Sequence, residues 1–232
     1  MDNPPRTFTF RVILQMLFFI VLIPLLPLII SGQWSWWQAW AFALVSILGF
    51  VISRALAARH HPDLLAERAR SLQHKDAKSW DKVLAPLVGL GGGLVPIVAG
   101  VEARLVWPPA LALWVSVLSL CLLIAGYIFS SYALIENRFF SGVVRIQTDR
   151  NQQVVSSGPY RWVRHPGYAS ALLVYLVIPL LLDSNWAFLP AIFLAVCTVI
   201  RTSLEDRTLQ VELPGYREYA QRVRYRLLPG IW

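Results

Sequence analysis

The chain reads as an all-α, polytopic membrane bundle of about six transmembrane helices with a C-terminal cytoplasmic helix. Three observations predict this. Hydrophobic residues make up 56% of the 232 and charged residues only 15%, the balance of a membrane protein rather than a soluble domain. Six apolar stretches approach the ~20 residues that a bilayer requires: roughly 12–31, 35–57, 83–101, 109–135, 169–182 and 186–200. Passing these alternately through a membrane leaves 20 of the 21 Lys and Arg on one side, with only Arg104 on the other. The positive-inside rule makes that side cytoplasmic, together with both termini. The net charge of +8 then belongs to membrane edges. Its basic residues are interrupted by acids and form no separate domain through which nucleic acid could be bound.

The elements follow in order. The first run is longer than a signal-peptide h-region and lacks a small-x-small cleavage site, so it is expected to stay as a helix, kinked by Pro24 and Pro27. Trp34, Trp36, Trp37, Trp40 and Trp107 fall at the outer ends of spans, where an aromatic belt forms. Arg59 to Lys82 carries Leu64, Leu65, Ala66, Ala69 and Leu72 among charges, the spacing of an amphipathic helix lying in the interface. His60 and His61 are adjacent, hence divergent on a helix, and read as a solvated polar patch rather than as ligands. The glycines from Gly89 to Gly93 have neither the preceding strand nor the Lys-Ser/Thr of a phosphate loop. Gly89 and Gly93, four apart, instead predict a close helix–helix approach. Cys121 and Cys197 lack metal or disulfide spacing and are expected in the core, so no metal is expected. The last two runs, separated by Asp183-Ser184-Asn185, predict a tight helical hairpin of short spans.

The chemistry concentrates after the fourth span. Ser157-Gly158-Pro159-Tyr160-Arg161-Trp162-Val163-Arg164-His165-Pro166-Gly167-Tyr168 sets arginines, a histidine and two tyrosines against the start of an apolar helix. Ionisable groups at that depth are costly and point to function. Gly158-Pro159 predicts a turn. Arg164-His165-Pro166 predicts an extended histidine before a helix-opening proline, with Tyr168 on the first turn. Arg201 and Glu205, spaced i, i+4 on a continuing helix, share a face. The hairpin should return them beside His165 and Tyr168.

The pattern Gly158-Pro159-Tyr160-x-x-x-Arg164-His165-Pro166-x-Tyr168, followed by Arg201-x-x-x-Glu205, Gly215-Tyr216-x-x-Tyr219 and Arg226-Leu227-Leu228-Pro229, resembles the signature of the isoprenylcysteine carboxyl methyltransferase family, which is related to the membrane phospholipid methyltransferases. The resemblance covers roughly 137–232, whereas 1–136 resembles it only as generic membrane helices around the 59–82 loop. It implies a methyltransferase core at 137–232, with S-adenosyl-L-methionine held on the cytosolic side and a lipophilic substrate entering from the bilayer among membrane lipids. Gln152, Gln153, Val154 and Val155 correspond to a strand-like cofactor-contacting segment. Tyr160, His165, Pro166, Gly167 and Tyr168 correspond to the cofactor cradle, and Glu205 to a further contact. Arg201 corresponds to the arginine facing the methyl acceptor, so Arg201 and Glu205 form the catalytic pair. A Glu-Glu pair common in relatives is Glu205-Asp206 here, with charge kept and reach shortened.

These residue types suit the implied chemistry. Tyrosine faces attract a sulfonium cation, and a histidine or arginine suits a carboxylate tail. A carboxylate acceptor oriented by Arg201 needs no general base. A phospholipid amine or a thiol would need one, and Glu205 is the candidate. Two further alternatives stay open: an NADPH-dependent reductase of the sterol type, and a non-catalytic lipid-binding membrane protein.

Overall fold

The computed structural model describes residues 18–106 and 111–232. Residues 12–17 of the first expected span, Trp107, and residues 109–110 of the fourth lie outside the described residues. Among the described residues every regular element is helical. A π-helical turn, Phe18–Leu22, leads into α1 (Ile23–Ser31), which contains Pro27. Then come α2 (Trp37–His60), α3 (Pro62–Ala69), α4 (Asp81–Gly91) and α5 (Leu94–Leu105). The long α6 (Leu113–Glu136) ends in an irregular segment that runs to α7 (Pro166–Leu181), α8 (Phe188–Glu212) and α9 (Tyr216–Arg222).

Among the described residues, four stretches are long and apolar enough to cross a membrane: Trp37–His60, Asp81–Leu105, Leu113–Glu136 and Phe188–Glu212. Ile20–Ser31 and Pro166–Leu181 are apolar but shorter. At 1.5 Å per residue the 16 residues of α7 reach about 24 Å, short of the ~30 Å hydrocarbon core. Large apolar side chains such as Leu189, Trp114 and Val83 lie exposed on the outer surface, as lipid-facing positions do. The core lies between the helices, where Leu28, Phe42, Val95, Leu123, Ile178, Leu181 and Leu194 pack together.

Polar contacts place the helix ends. At one end Arg104 donates to the Ile30 carbonyl, Leu111 N–H donates to Asp183, and the buried Glu102 accepts from Ser184 Oγ and Trp186 N–H. That bond holds the turn of the α7–α8 hairpin against α5. At the other end His61 Nε2 pairs with the Ile135 carbonyl at 2.8 Å. His61 is thus a half-buried tether between α2 and α6, not part of a solvated patch.

The helix of the last apolar run does continue past residue 200, as the Arg201–Glu205 spacing requires, and α8 ends only at Glu212 with Arg201, Thr202 and Asp206 buried. Several expectations change. Trp36 leaves the aromatic belt for the core, while Trp34, Trp37 and Trp40 stay exposed. Cys197 is buried but Cys121 is exposed, since it lies on the outward face of α6. The buried face of α3 joins Leu64 to Glu67, because that helix packs on the Ala57–Leu134 contact and also holds a cation. A Cβ at Gly89 would meet nothing within 4 Å, so no helix approaches there. Gly93 does meet a neighbour, since a Cβ there would fall 3.3 Å from Ile23, and tighter approaches include Gly91 (2.7 Å from Leu194), Gly126 (2.8 Å from Val174) and Gly100 (3.0 Å from the Pro27 Cα).

Gly126 lets α6 and α7 touch, and its carbonyl accepts from Ser170 Oγ at 2.5 Å. Gly126→Val should therefore destabilise the protein by about 1–3 kcal/mol through overpacking. Gly89→Ala should leave stability unchanged or raise it by up to about 1 kcal/mol through helix propensity. Unfolding midpoints in detergent check both.

Candidate functional site

Gly158 opens the signature loop with φ +54°, and a Cβ there would meet Glu136 at 2.8 Å, so the turn needs glycine twice over. The short 3₁₀ turn Gly158–Arg161 buries Tyr160, whose hydroxyl accepts from Asn137 and faces the Ala133 carbonyl. Pro166 takes the first helical position of α7, as expected, whereas His165 before it is neither helical nor fully extended (φ −127°, ψ 64°) because it turns the chain into the helix. The backbone N–H groups of Arg164 and His165 donate to the carbonyls of Tyr225 and Arg226, each at 2.9 Å. The C-terminal tail thus clamps the signature loop.

Below the loop lies Asp206, fully buried. Arg164 reaches it with both arms of its fork (Nε–Oδ1 2.7 Å, Nη2–Oδ2 3.0 Å). Arg226 Nε, Gln210 Nε2 and the Tyr216 hydroxyl donate to the same carboxylate, at 2.9, 2.7 and 3.2 Å, and His165 Nε2 lies 3.3 Å away. The remaining arm of Arg164 donates to the carbonyls of Val223 and Arg224. Burial, followed by the Asp206 charge, pushes the Tyr216 phenol well up, so it stays protonated and donates.

A second buried carboxylate, Asp81 at the start of α4, takes Arg201. Nε–Oδ1 is 2.6 Å and Nη2–Oδ2 is 3.0 Å, while Nη2 also donates to the Gly142 carbonyl. Val144 N–H donates to Asp81 as well, at 2.6 Å. A third node, Arg145, is shared by Glu67, Asp76 and Asp149. The hydrogen bonds that Arg145 donates to Asp149 and Glu67 outweigh burial and hold it above its ordinary pKa range. These nodes pin the 137–156 segment, which has no regular secondary structure beyond the turn Thr148–Arg150, against α3, α4 and α8.

The nodes surround a cavity of about 310 Å³, within the size range of small-ligand sites. Its lining includes Gln152, Gln153, Val154, Val155, Tyr160, His165, Gly167, Tyr168, Arg201 and Glu205, which therefore converge from three separate parts of the chain. Two placements differ from expectation. Pro166 does not line the cavity but starts α7. Gln152–Val155 forms no strand; its valines pack on Tyr160, Leu213, Tyr216 and Tyr219. Glu205 accepts from the Tyr168 hydroxyl at 2.5 Å, and the Arg201 guanidinium sits 5.3 Å from the Tyr168 ring centroid. The His165 and Tyr168 rings stack with centroids 5.9 Å apart. A Cβ at Gly167 would strike the Phe140 ring at 2.5 Å, so this glycine lets Phe140 pack against the first turn of α7.

Sequence reasoning missed Asp81, Arg54 and Arg68, which the cavity or its supports use. For Asp81 and Arg54 the signal was available, since both are ionisable residues near the end of an apolar run; Arg68, in the middle of the 59–82 loop, carried none. Asp206 was noticed without its role.

Residues 117–211 match the model of the isoprenylcysteine carboxyl methyltransferase (ICMT) family. The "Uncharacterized protein YpbQ" of Bacillus subtilis (strain 168) is 42% identical to this chain over 59 residues, covering 25% of this chain and 35% of that protein. The family match begins inside α6 and reaches nearly to the end of α8, so it contains the signature loop with Arg201, Glu205 and Asp206.

Removing one partner of a buried pair strands the other charge, at about 3–5 kcal/mol. Asp206→Asn and Arg201→Ala should each lower stability by that order, measured by denaturant unfolding in detergent. A change below about 1 kcal/mol in either would mean that the site does not depend on that pair.

Proposed function

We propose that this protein is a multi-pass membrane methyltransferase that uses S-adenosyl-L-methionine to methylate a lipophilic acceptor on a carboxylate oxygen, as in isoprenylcysteine-type O-methylation. The observation that carries this is the composition of the cavity. Glu205 is the only carboxylate among its described lining residues, and it stands beside tyrosine rings, a histidine and several arginines. The family match over 117–211 supports the same reading.

The residues fit the cofactor. Tyr168 and Tyr160 offer aromatic faces to a sulfonium. Glu205, oriented by the Tyr168 hydroxyl, can accept hydrogen bonds from an ammonium or ribose hydroxyls, and His165 can serve a carboxylate tail. Gln152 to Val155 form one wall, and Phe140, packed directly on Gly167, lines the cavity beside Tyr168. S-adenosyl-L-methionine, when bound, supplies an electrophilic methyl group that leaves a neutral thioether. The protein's task is then to align the acceptor and exclude water. Arg201 can contribute a single free arm, Nη1, because Asp81 and the Gly142 carbonyl hold the rest of its guanidinium. A carboxylate acceptor is already ionised near neutral pH, so no side chain must remove a proton from it.

Two measurements test this. S-adenosyl-L-methionine and NADPH are titrated separately by calorimetry, with binding expected only for the first. Glu205→Gln should weaken it by about 10- to 100-fold, the equivalent of the roughly 1.5–3 kcal/mol of a charged hydrogen bond. Methyl transfer is then assayed against prenylcysteines, phospholipid amines and small thiols, and incorporation into an amine or thiol alone would move the acceptor assignment. The cavity mouth should face the cytoplasm. Labelling of single cysteines at positions 150 and 183 in intact cells should report 183 outside and 150 inside.

A further inference from the structure

The arginines around the cavity divide into two kinds. Arg164, Arg145 and Arg201 are committed to Asp206, to Glu67 with Asp149, and to Asp81. Arg54 on α2 and Arg68 on α3 also line the cavity, yet among the described residues no carboxylate pairs with either. What positions them is aromatic. The Arg54 guanidinium lies over the Phe50 ring at 4.5 Å, and that of Arg68 over the Phe140 ring at 5.3 Å. Stacking on a ring engages the face of a guanidinium and leaves its in-plane N–H donors for another partner. Arg68 spends one nitrogen on the carbonyls of Phe140 and Ser141.

We propose that Arg54 and Arg68 form an anion-holding site at the membrane end of the cavity that grips the ionised head of a single-chain lipophilic acid, a role that rests on the methyltransferase reading above. Both arginines come from helices outside the matched segment 117–211, so they add to the pair Arg201 and Glu205. Their position suits an acceptor arriving from the bilayer. Val88 and Gly89 of α4 line the same cavity, Gly89 is exposed on the apolar surface, and a Cβ there meets only open space. An aliphatic chain can pass at Gly89 while its acidic head reaches the arginines. Two uncompensated cations in one partly desolvated cavity repel each other, and Arg68 is pulled down to about 9 by burial first, then by Arg54 and Arg201. A bound anion relieves that repulsion; a neutral head cannot. Arg201 cannot replace them as the fork for the acid, because Asp81 occupies its fork.

Isothermal titration of the protein in neutral detergent with oleate and with oleyl alcohol tests the site, alongside S-adenosyl-L-methionine. Oleate should bind at least tenfold more tightly than the alcohol. Arg54→Gln, which breaks no observed hydrogen bond, should lose about tenfold in oleate affinity, the scale of one charge-assisted hydrogen bond. It should leave oleyl alcohol and S-adenosyl-L-methionine within threefold. Arg68→Gln should behave alike, with Arg68→Lys as the variant that keeps the charge if Gln perturbs the Phe140–Ser141 turn. Equal binding of acid and alcohol, or unchanged oleate affinity in Arg54→Gln, overturns the proposal. So does a loss of S-adenosyl-L-methionine affinity as large as the oleate loss, which would assign the pair to the cofactor's carboxylate. If the unaltered protein binds oleate as expected but not S-adenosyl-L-methionine, the methyltransferase reading fails while the anion site stands.

Discussion

The structure depends on one buried carboxylate. Asp206 has no exposed surface, and removing such a charge from water is tolerable only when nearly all its lone pairs are filled by good donors. Here Arg164, Arg226, Gln210 and Tyr216 fill them. They come from the signature loop, the C-terminal tail, α8 itself and α9. An irregular loop and an irregular tail have no ladder of backbone hydrogen bonds to fix them, so this shared anion supplies the constraint. His165, aimed at the same oxygen, is thereby held where it can line the cavity.

The same logic repeats around the rest of the pocket. Asp81 joins α4 to α8 through Arg201 and also accepts from the loop at Val144. Glu67 joins α3 to that loop through Arg145. Three acid–arginine nodes thus hold the cavity walls, and their charges are largely cancelled within the protein. What is left along the cavity without a partner of opposite charge in those nodes is Glu205 together with Arg54 and Arg68. An amphiphilic acid and a cationic cofactor are complementary to that residue of charge, whereas an uncharged ligand would leave both signs unanswered.

The cavity also joins two environments. Gln152 to Val155, Tyr216 and Tyr219 belong to the segments beyond the apolar spans, while Val88, Gly89, Ser130 and Ala171 belong to helices whose outer faces are apolar. The methyl transfer proposed above, from a water-soluble donor to a lipid, would use such a place, where each reactant leaves its own medium only at the reacting end.

Much of this was legible in the residues. Apolar run length and the distribution of Lys and Arg determine a helical membrane bundle, because hydrocarbon tolerates no unpaired backbone. The order Gly158-Pro159, Arg164-His165-Pro166, Tyr168, Arg201, Glu205 determined the local conformations, since proline and glycine act on their own φ and ψ, and i, i+4 spacing acts along one helix. Tertiary structure decided the rest. That Asp81, 120 positions from Arg201, takes its fork, that Asp206 gathers four segments, that Gly126 rather than Gly89 marks a close helix contact, and that Trp36 and Cys121 exchange their expected surroundings are all facts about partners far apart in the chain. Periodicity assigns a residue to a face; only packing determines what that face meets.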